Sequence, residues 1–437
     1  MPIFALVDCN NFFVSCERAV DPSLVGKPVV VLSNNDGCIV SRSEEAKGLG
    51  IRMGEPYFKI RAELARQRVQ VFSSNFALYN AKSEQIINIL TRFSPQLERY
   101  SIDEAFLQLQ NVPISSLRAY AAEMKATVLR ETGVPVSIGI AETKTLAKLA
   151  NGIAKKAPRL QGILNLYRSS QLDMALSRIP VEQVWGVGRR LSHSLQAAKI
   201  FTARDLRDTD DKWILRRYNI VLLKTVLELR GTSCFPIRDT VPPRKSIMYS
   251  RSFGNLIETQ SQMEEAISTF TARAAEKLRE DKLVARHLGV YIRTSRFIPP
   301  EARFRNYGEV FFHSPTDCTS DLIREALAII RRIFREGYAY YKAMITLNEV
   351  SPATERQMGL FETRDVNRLQ TLMHTLDRIN RTFGNGTLQY AAEGFEKPWV
   401  SKRQNVSQHP QQPGLQLPET RDERRRAVIG FVHPIHG

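Results

Sequence analysis

No run of apolar residues approaches the roughly 18 needed to cross a bilayer, and the opening Met1-Pro2-Ile3 lacks the basic region of a secretory leader. A soluble, cytoplasmic chain is expected. Cysteine is sparse: Cys9, Cys16, Cys38, Cys234 and Cys318 are odd in number and contain no Cys-x-x-Cys pair, which argues against a disulfide scaffold and a zinc knuckle. The seven histidines are scattered, and His433 and His436 in the tail fit solvated side chains better than metal ligands. No Gly/Ser-dominated tract interrupts the first 400 residues. Negative charge is in the minority, with 45 Asp+Glu against 62 Lys+Arg, a formal charge of +17 and a pI near 9.8. Such a chain favours a polyanionic partner, nucleic acid first and an anionic membrane surface second. At 437 residues and 43% hydrophobic content, the length accommodates about three domains with sizeable cores.

What is present converges on Arg99-Tyr-Ser-Ile-Asp-Glu-Ala-Phe-Leu-Gln-Leu109. Two acids, Asp103 and Glu104, stand between a short run ending in Ser101-Ile102 and an apolar strand, the pattern of a hairpin with a carboxylate pair at its turn. Neighbours on a flat strand point to opposite faces, so both acids address one site only at a bend. Taken alone, the pair also fits an ordinary solvated turn. Ile3-Phe-Ala-Leu-Val7 is a continuous apolar run, as in a buried central strand, and it ends in Asp8. A carboxylate there is costly unless paired or metal-bound. Three such carboxylates make an oxygen-rich site for Mg²⁺, and phosphoryl or nucleotidyl transfer is the chemistry that uses two such ions.

Asp8-Cys-Asn-Asn-Phe-Phe-Val-Ser-Cys-Glu17, Tyr100-Ser-Ile-Asp-Glu-Ala-Phe106 and Gly139-Ile-Ala-Glu-Thr-Lys-Thr-Leu-Ala-Lys-Leu-Ala150 resemble the signatures of Y-family translesion DNA polymerases, in particular the UmuC-type catalytic subunit of bacterial DNA polymerase V. The resemblance runs from residue 1 to about residue 400. It implies that Asp8 and Asp103 bridge two Mg²⁺, that Glu104 completes the catalytic metal, and that the Cys9 carbonyl touches the nucleotide-side metal. It also puts Phe13 where the family keeps an aromatic gate against the sugar 2′-OH, Ile39, Val40 and Ser41 over the nascent base pair, and Lys47 and Lys155 on the triphosphate. Many relatives have Tyr at the gate; Phe13 keeps the bulk and drops the hydroxyl. Without the family, Lys47 is an ordinary surface lysine and Lys155 a charge favoured at a helix C-terminus.

Taken in order, Asn10–Ala19 has the makings of a short helix, and Gly26–Ser33, Asn34-Asn-Asp-Gly37 and Cys38–Val40 form a hairpin. A short helix closed by glycine follows over Ser43–Gly50. Ser73 opens a long helix, Ser115–Arg130 forms another, Val136–Ile140 is a strand, and Thr143–Lys156 is an amphipathic helix. This succession fits a ferredoxin-like sheet covered by helices on one face. Ile179–Leu191 and Leu195–Leu206 read as two short helices joined through Gly186-Val187-Gly188, a helix-hairpin-helix whose glycines admit phosphate oxygens, with Arg189 and Arg190 beside them. Beyond a Pro-rich linker, strands around Ser250–Phe253, Leu288–Arg293, Glu309–His313 and Tyr341–Leu347, with helices Met263–Arg279 and Ile323–Arg335, make a β-α-β-β-α-β unit. In the family this unit grips DNA, and Arg251, Arg293, Arg296 and Lys342 are the candidate contacts.

After Pro352 order is expected to weaken. Gln357-Met358-Gly359-Leu360-Phe361 resembles the peptide that docks in the sliding clamp, and the Pro/Gln-rich, basic tail from Gln404 reads as disordered. The fold class expected is α+β multidomain, a right-hand polymerase. Its divisions are a palm (1–25 and 80–168), fingers (26–79), a thumb (169–233), a linker (234–246), a little finger (247–350) and a C-terminal region (351–437). The activity expected is low-fidelity, template-directed synthesis past damaged bases in the SOS response, from deoxynucleoside triphosphates and without a separate carboxylate cluster for proofreading. The family also implies a UmuD′-type dimer and RecA as partners, although the tail departs from the UmuC pattern. A nucleotide cyclase would leave the glycine motif and the basic second unit unexplained. A non-catalytic DNA-binding scaffold would leave the three carboxylates unexplained.

Overall fold

A strand that runs apolar from Phe4 to Val7 needs cover on both faces, and β1 (Phe4–Cys9) has it. In the computed structural model, which describes residues 2–110, 112–238, 243–355, 365–407 and 427–429, β1 is the centre of a five-stranded sheet. Among the described residues, 2–32, 38–238 and 405–407 belong to one compact unit, and 33–37, 243–355, 365–404 and 427–429 to the other.

In the first unit β1 is followed by α1 (Phe12–Val20), β2 (Val29–Leu32), β3 (Ile39–Arg42), α2 (Glu44–Gly48), α3 (Tyr57–Arg66), β4 (Gln70–Ser73) and α4 (Phe76–Leu90). Next come β5 (Leu97–Arg99), β6 (Glu104–Gln108), α5 (Leu117–Thr132), β7 (Val136–Ala141), α6 (Lys144–Lys156) and β8 (Ile163–Asn165). The sheet order is β5-β6-β1-β7-β8, with β1 antiparallel to both neighbours. Its first four strands have the ferredoxin-like arrangement.

The expectation of helices on one face needs correction. Ala5, Val7 and Cys9 pack with α1, α4 and α5, whereas Phe4, Leu6 and Phe106 pack with α6 and with α7 (Leu172–Ser177), α8 (Arg189–Ala197), α9 (Ala203–Arg207), α10 (Asp211–Arg217) and α11 (Ile220–Leu229). Alternation along β1 sends large side chains both ways, so a second helical layer is required. The closeness of α6 depends on Gly139: a Cβ there would lie 2.2 Å from the Ala147 carbonyl oxygen and 2.2 Å from the Asn151 nitrogen. A separate three-stranded sheet, β3-β2-β4, has its own core of Val30, Leu32, Ile39, Ile51, Ile60 and Leu64.

The glycine motif also differs from expectation. Only a 3₁₀ turn, Val181–Gln183, precedes Gly186, and α8 begins directly after Gly188. Pro180 and Val184 are both extended, which stops a longer helix on that side. Downstream, Lys199 at φ 65° and a capping box on Thr202 divide the expected second helix into α8 and α9.

The second unit contains β9 (Ser246–Ile257), α12 (Gln260–Glu280), β10 (Leu283–Thr294), β11 (Arg305–Thr316), α13 (Thr319–Ile333) and β12 (Tyr340–Pro352). This is the β-α-β-β-α-β order read from the sequence, in a sheet ordered β11-β10-β12-β9. Order does not weaken over 365–407. There α14 (Val366–Phe383) and β13 (Leu388–Tyr390) bury Met373, Leu376 and Tyr390 with Cys318 and Ile323. Arg279 donates to both carboxylate oxygens of Asp377 at 2.6 and 2.7 Å, and Trp399 packs edge-on against Phe253 and Phe270.

Candidate active site

The turn between β5 and β6 is built around Ser101. Its hydroxyl accepts from the N–H groups of Asp103 and Glu104 and donates to the Asp103 carboxylate, while the N–H groups of Tyr100 and Ser101 donate to the Glu104 carbonyl. This closes the bend that lets adjacent acids serve one place. Asp8 on β1 stands directly opposite Glu104 on β6, and the Cys9 N–H donates to the Asp103 carbonyl at 2.9 Å. Three carboxylates from two strands and a turn are thereby assembled at one end of the sheet.

Each acid already has a partner. Lys155 reaches Asp8 at 2.5 Å, and Lys148 donates to both oxygens of Glu104 at 2.7 and 2.8 Å. Burial pushes the Asp8 carboxyl up to about 7; Lys155 pulls against this by charge and hydrogen bond, and Glu104 and Asp103 add to it. Burial also raises the Cys9 thiol, helped by Asp8 and Asp103, so Cys9 is a packed thiol and not a nucleophile. Among the described residues no three His, Cys, Asp or Glu side chains already converge as an ion cage. The donor set is nonetheless all oxygen, carrying three potential negative charges, which suits a hard divalent cation once the lysines yield.

Asp8, Cys9 and Asp103 line a cleft of about 380 Å³ together with Phe13, Val40, Ser41, Lys47 and Lys155. Eight of the residues singled out from the sequence thus share one cavity. Phe13 is stacked on Tyr79, centroids 4.5 Å apart at 17°, and meets Phe76 edge-on at 5.8 Å. Tyr79 is fully buried and donates to Glu17 at 2.7 Å, so the Phe13 ring has a rigid backing. Lys47 pairs with Glu44 at 2.5 Å and holds the Glu44 carboxyl below its usual range. Ile39 is not on the cleft: its side chain is 1% exposed, in the core of the three-stranded sheet. Glu104 is not among the lining residues and is held by Lys148.

Arg42, Asn11 and Met53 also line the cleft and were missed. Period-two alternation could have found Arg42, which shares a strand face with Val40. Lys148 was missed as well, although Lys144, Lys148 and Lys155 follow an i, i+4, i+11 pattern along α6. Lys144 pairs with Glu98, so the helix sets a lysine against each of three acids along the sheet.

Gly186, at φ 89°, and Gly188, the residue before α8, form an exposed loop with Arg189 and Arg190 beside it. In the second unit Arg293 lies between Lys342 and Arg305 on neighbouring strands. Burial, and then the nearby Arg293 and Arg251, lowers the Lys342 ammonium, as expected where cations are gathered together. Arg251 pairs with Ala343 and lies 4.5 Å over the Tyr249 ring, and Arg296 is exposed beside Phe297. The peptide Gln357–Phe361 lies outside the described residues.

Comparison with known proteins assigns the family. Residues 7–152 match the impB/mucB/samB family model and residues 244–360 its C-terminal domain, and the chain is 42% identical over 409 residues to Protein UmuC of Salmonella typhimurium, covering 93% of this chain and 97% of that one. The chain belongs to the impB/mucB/samB family. Protein ImpB of Salmonella typhimurium is 38% identical, with 93% and 96% covered, and DNA polymerase IV of Bacillus velezensis 25%, with 88% and 92% covered. Residues 370–410 match a domain of unknown function. The fold is that of the Y-family DNA polymerases: a chimera of Dbh and Dpo4 superimposes with a TM-score of 0.64 at 20% identity, over 80% of this chain and 99% of that one. Among the described residues no helix is long and apolar enough to cross a membrane.

Proposed function

We propose that this member of the impB/mucB/samB family is a template-directed DNA polymerase of low fidelity that extends primers past damaged bases in the SOS response. The observation that carries the reading is the register that sets Asp8 opposite Glu104 with Asp103 at the adjoining turn, Asp8 and Asp103 lining a cleft that also holds Phe13, Val40, Ser41, Lys47 and Lys155.

Asp8, Asp103, Glu104 and the Cys9 carbonyl would hold two Mg²⁺. Such ions, when bound, activate the primer 3′-hydroxyl and offset charge on the departing pyrophosphate. Lys47 and Lys155 orient the triphosphate, and their ammonium groups favour the charge that builds on its leaving end. The Phe13 ring excludes a 2′-hydroxyl. Val40 and Ser41 cover the nascent pair; for Ile39, the role is to support that cover from the core behind it. We assign 1–25 and 80–168 to a palm, 26–79 to fingers, 169–233 to a thumb, 234–246 to a linker, 247–350 to a little finger and 351–437 to a C-terminal region. Backbone amides at Gly186 and Gly188, with Arg189 and Arg190, take primer phosphates, and Arg251, Arg293, Arg296 and Lys342 take duplex phosphates. Phosphate contacts position DNA without reading its sequence, as synthesis on any template requires. The family resemblance further supports a UmuD′-type dimer, RecA and, through Gln357–Phe361, a sliding clamp as partners.

Pyrophosphate release from deoxynucleoside triphosphates tests the activity. It should require Mg²⁺ and primed template together; release without template would favour cyclase chemistry.

A further inference from the structure

Glu104 is held from both ends. Its carbonyl accepts from the N–H groups of Tyr100 and Ser101, and its carboxylate receives Lys148 on both oxygens. Lys148 is itself braced, because its ammonium lies 4.7 Å from the centre of the Tyr100 ring. The Trp185 indole N–H donates to the Tyr100 hydroxyl at 3.0 Å. Trp185 is fixed in turn by edge-on contact with Phe235, at 5.5 Å, and immediately precedes Gly186 in the exposed glycine loop. A continuous chain of contacts therefore runs from that loop to one of the three carboxylates.

We propose that Lys148, braced by Tyr100 and Trp185, is a positioning residue that latches Glu104 and thereby sets the site's affinity for its divalent cation. The inference rests on the reading of Glu104 as a metal ligand. With both carboxylate oxygens engaged, a cation reaches Glu104 only by taking at least one of them from the ammonium. The strength of the brace then enters the binding constant directly. Because Trp185 adjoins Gly186, whatever settles on the glycine loop acts on the same latch, and by linkage a cation on Glu104 acts back on the loop.

Titrating the full-length chain with Mn²⁺, and following the free ion by its paramagnetic resonance signal, reads this affinity without turnover. Lys148→Met should tighten Asp103-dependent Mn²⁺ binding on the order of tenfold, as expected for removing a like charge in contact with the site. Lys148→Arg, which keeps the charge, should stay near wild type. Trp185→Phe changes no charge and touches no carboxylate, yet should tighten binding about threefold through loss of one hydrogen bond in the brace. If Lys148→Met tightens binding while Trp185→Phe equals wild type, Lys148 acts only as a nearby charge and the latch is overturned. Unchanged affinity in both variants overturns it too. If wild type binds no Mn²⁺ that Asp103→Asn abolishes, the metal-site reading itself falls, and the latch with it.

Discussion

Replacing Phe13 by Ala should open the cleft to ribonucleotides, and the surroundings of the ring set how far. Phe13 cannot swing away from an incoming 2′-hydroxyl, because its rear face is stacked on Tyr79 at 4.5 Å and its edge meets Phe76 at 5.8 Å. Tyr79 is immobilised by burial and by its bond to Glu17. Fitting one extra oxygen against such a ring costs about 1–3 kcal/mol in overpacking. Breaking the stack adds about 0.5–1.5 kcal/mol. The sum, about 1.5–4.5 kcal/mol, corresponds to a discrimination of about tenfold to about a thousandfold, at about 1.4 kcal/mol per factor of ten. The assay is single-nucleotide insertion, comparing the kcat/KM ratio for matched deoxyribo- and ribonucleoside triphosphates. Phe13→Ala should erase most of that ratio while leaving deoxynucleotide insertion measurable. Tyr79→Leu, which removes the backing but leaves the ring, should erase part of it. Unchanged discrimination in Phe13→Ala would refute the gate, and loss only in Tyr79→Leu would place the gate elsewhere.

Other expectations concern the scaffold and the clamp-docking peptide. Asp377→Ala strands a buried guanidinium and should destabilise the second unit by about 3–5 kcal/mol, whereas Arg279→Met with Asp377→Leu should recover most of the loss. Urea unfolding followed through Trp399, with Trp185 and Trp213 replaced by Phe, measures both; a loss under about 1 kcal/mol in the single variant would show that Arg279 is satisfied by its bonds to the Asp317 carbonyl and Thr319 alone. Gly139→Ala forces α6 off the sheet and should cost at least about 1–3 kcal/mol, lowering the melting temperature by several degrees and synthesis more than DNA binding, because Lys148 and Lys155 ride on that helix. Deleting 357–361 should lower clamp-stimulated synthesis and spare clamp-free synthesis; equal loss of both would sink the assignment of this peptide to the clamp.

Local signals made much of this legible in the sequence. The apolar run of β1 announced a central strand, the Asn34–Gly37 turn a hairpin, and the three motifs a family whose carboxylate and nucleotide-binding residues, Ile39 and Glu104 apart, line one cleft. What escaped depended on distant partners. Nothing near Lys148 shows that Glu104, 44 residues earlier, will engage it, and nothing near Asp377 points to Arg279. The second helical layer escaped for a related reason: a continuous apolar strand requires two covered faces without saying which segments supply the second. Ile39 was misplaced because a four-residue strand at the edge of a small sheet carries no sign of which face is the core.

Primer extension with Mg²⁺ on a template carrying an abasic site, comparing wild type with Asp103→Asn in the presence of a UmuD′-type dimer, RecA and sliding clamp, addresses the central claim most directly. Wild type should extend past the lesion, and Asp103→Asn should bind primed DNA equally well but extend nothing. Extension by Asp103→Asn at the wild-type rate, or none by wild type despite tight binding of primed DNA, would contradict a polymerase centred on Asp8, Asp103 and Glu104.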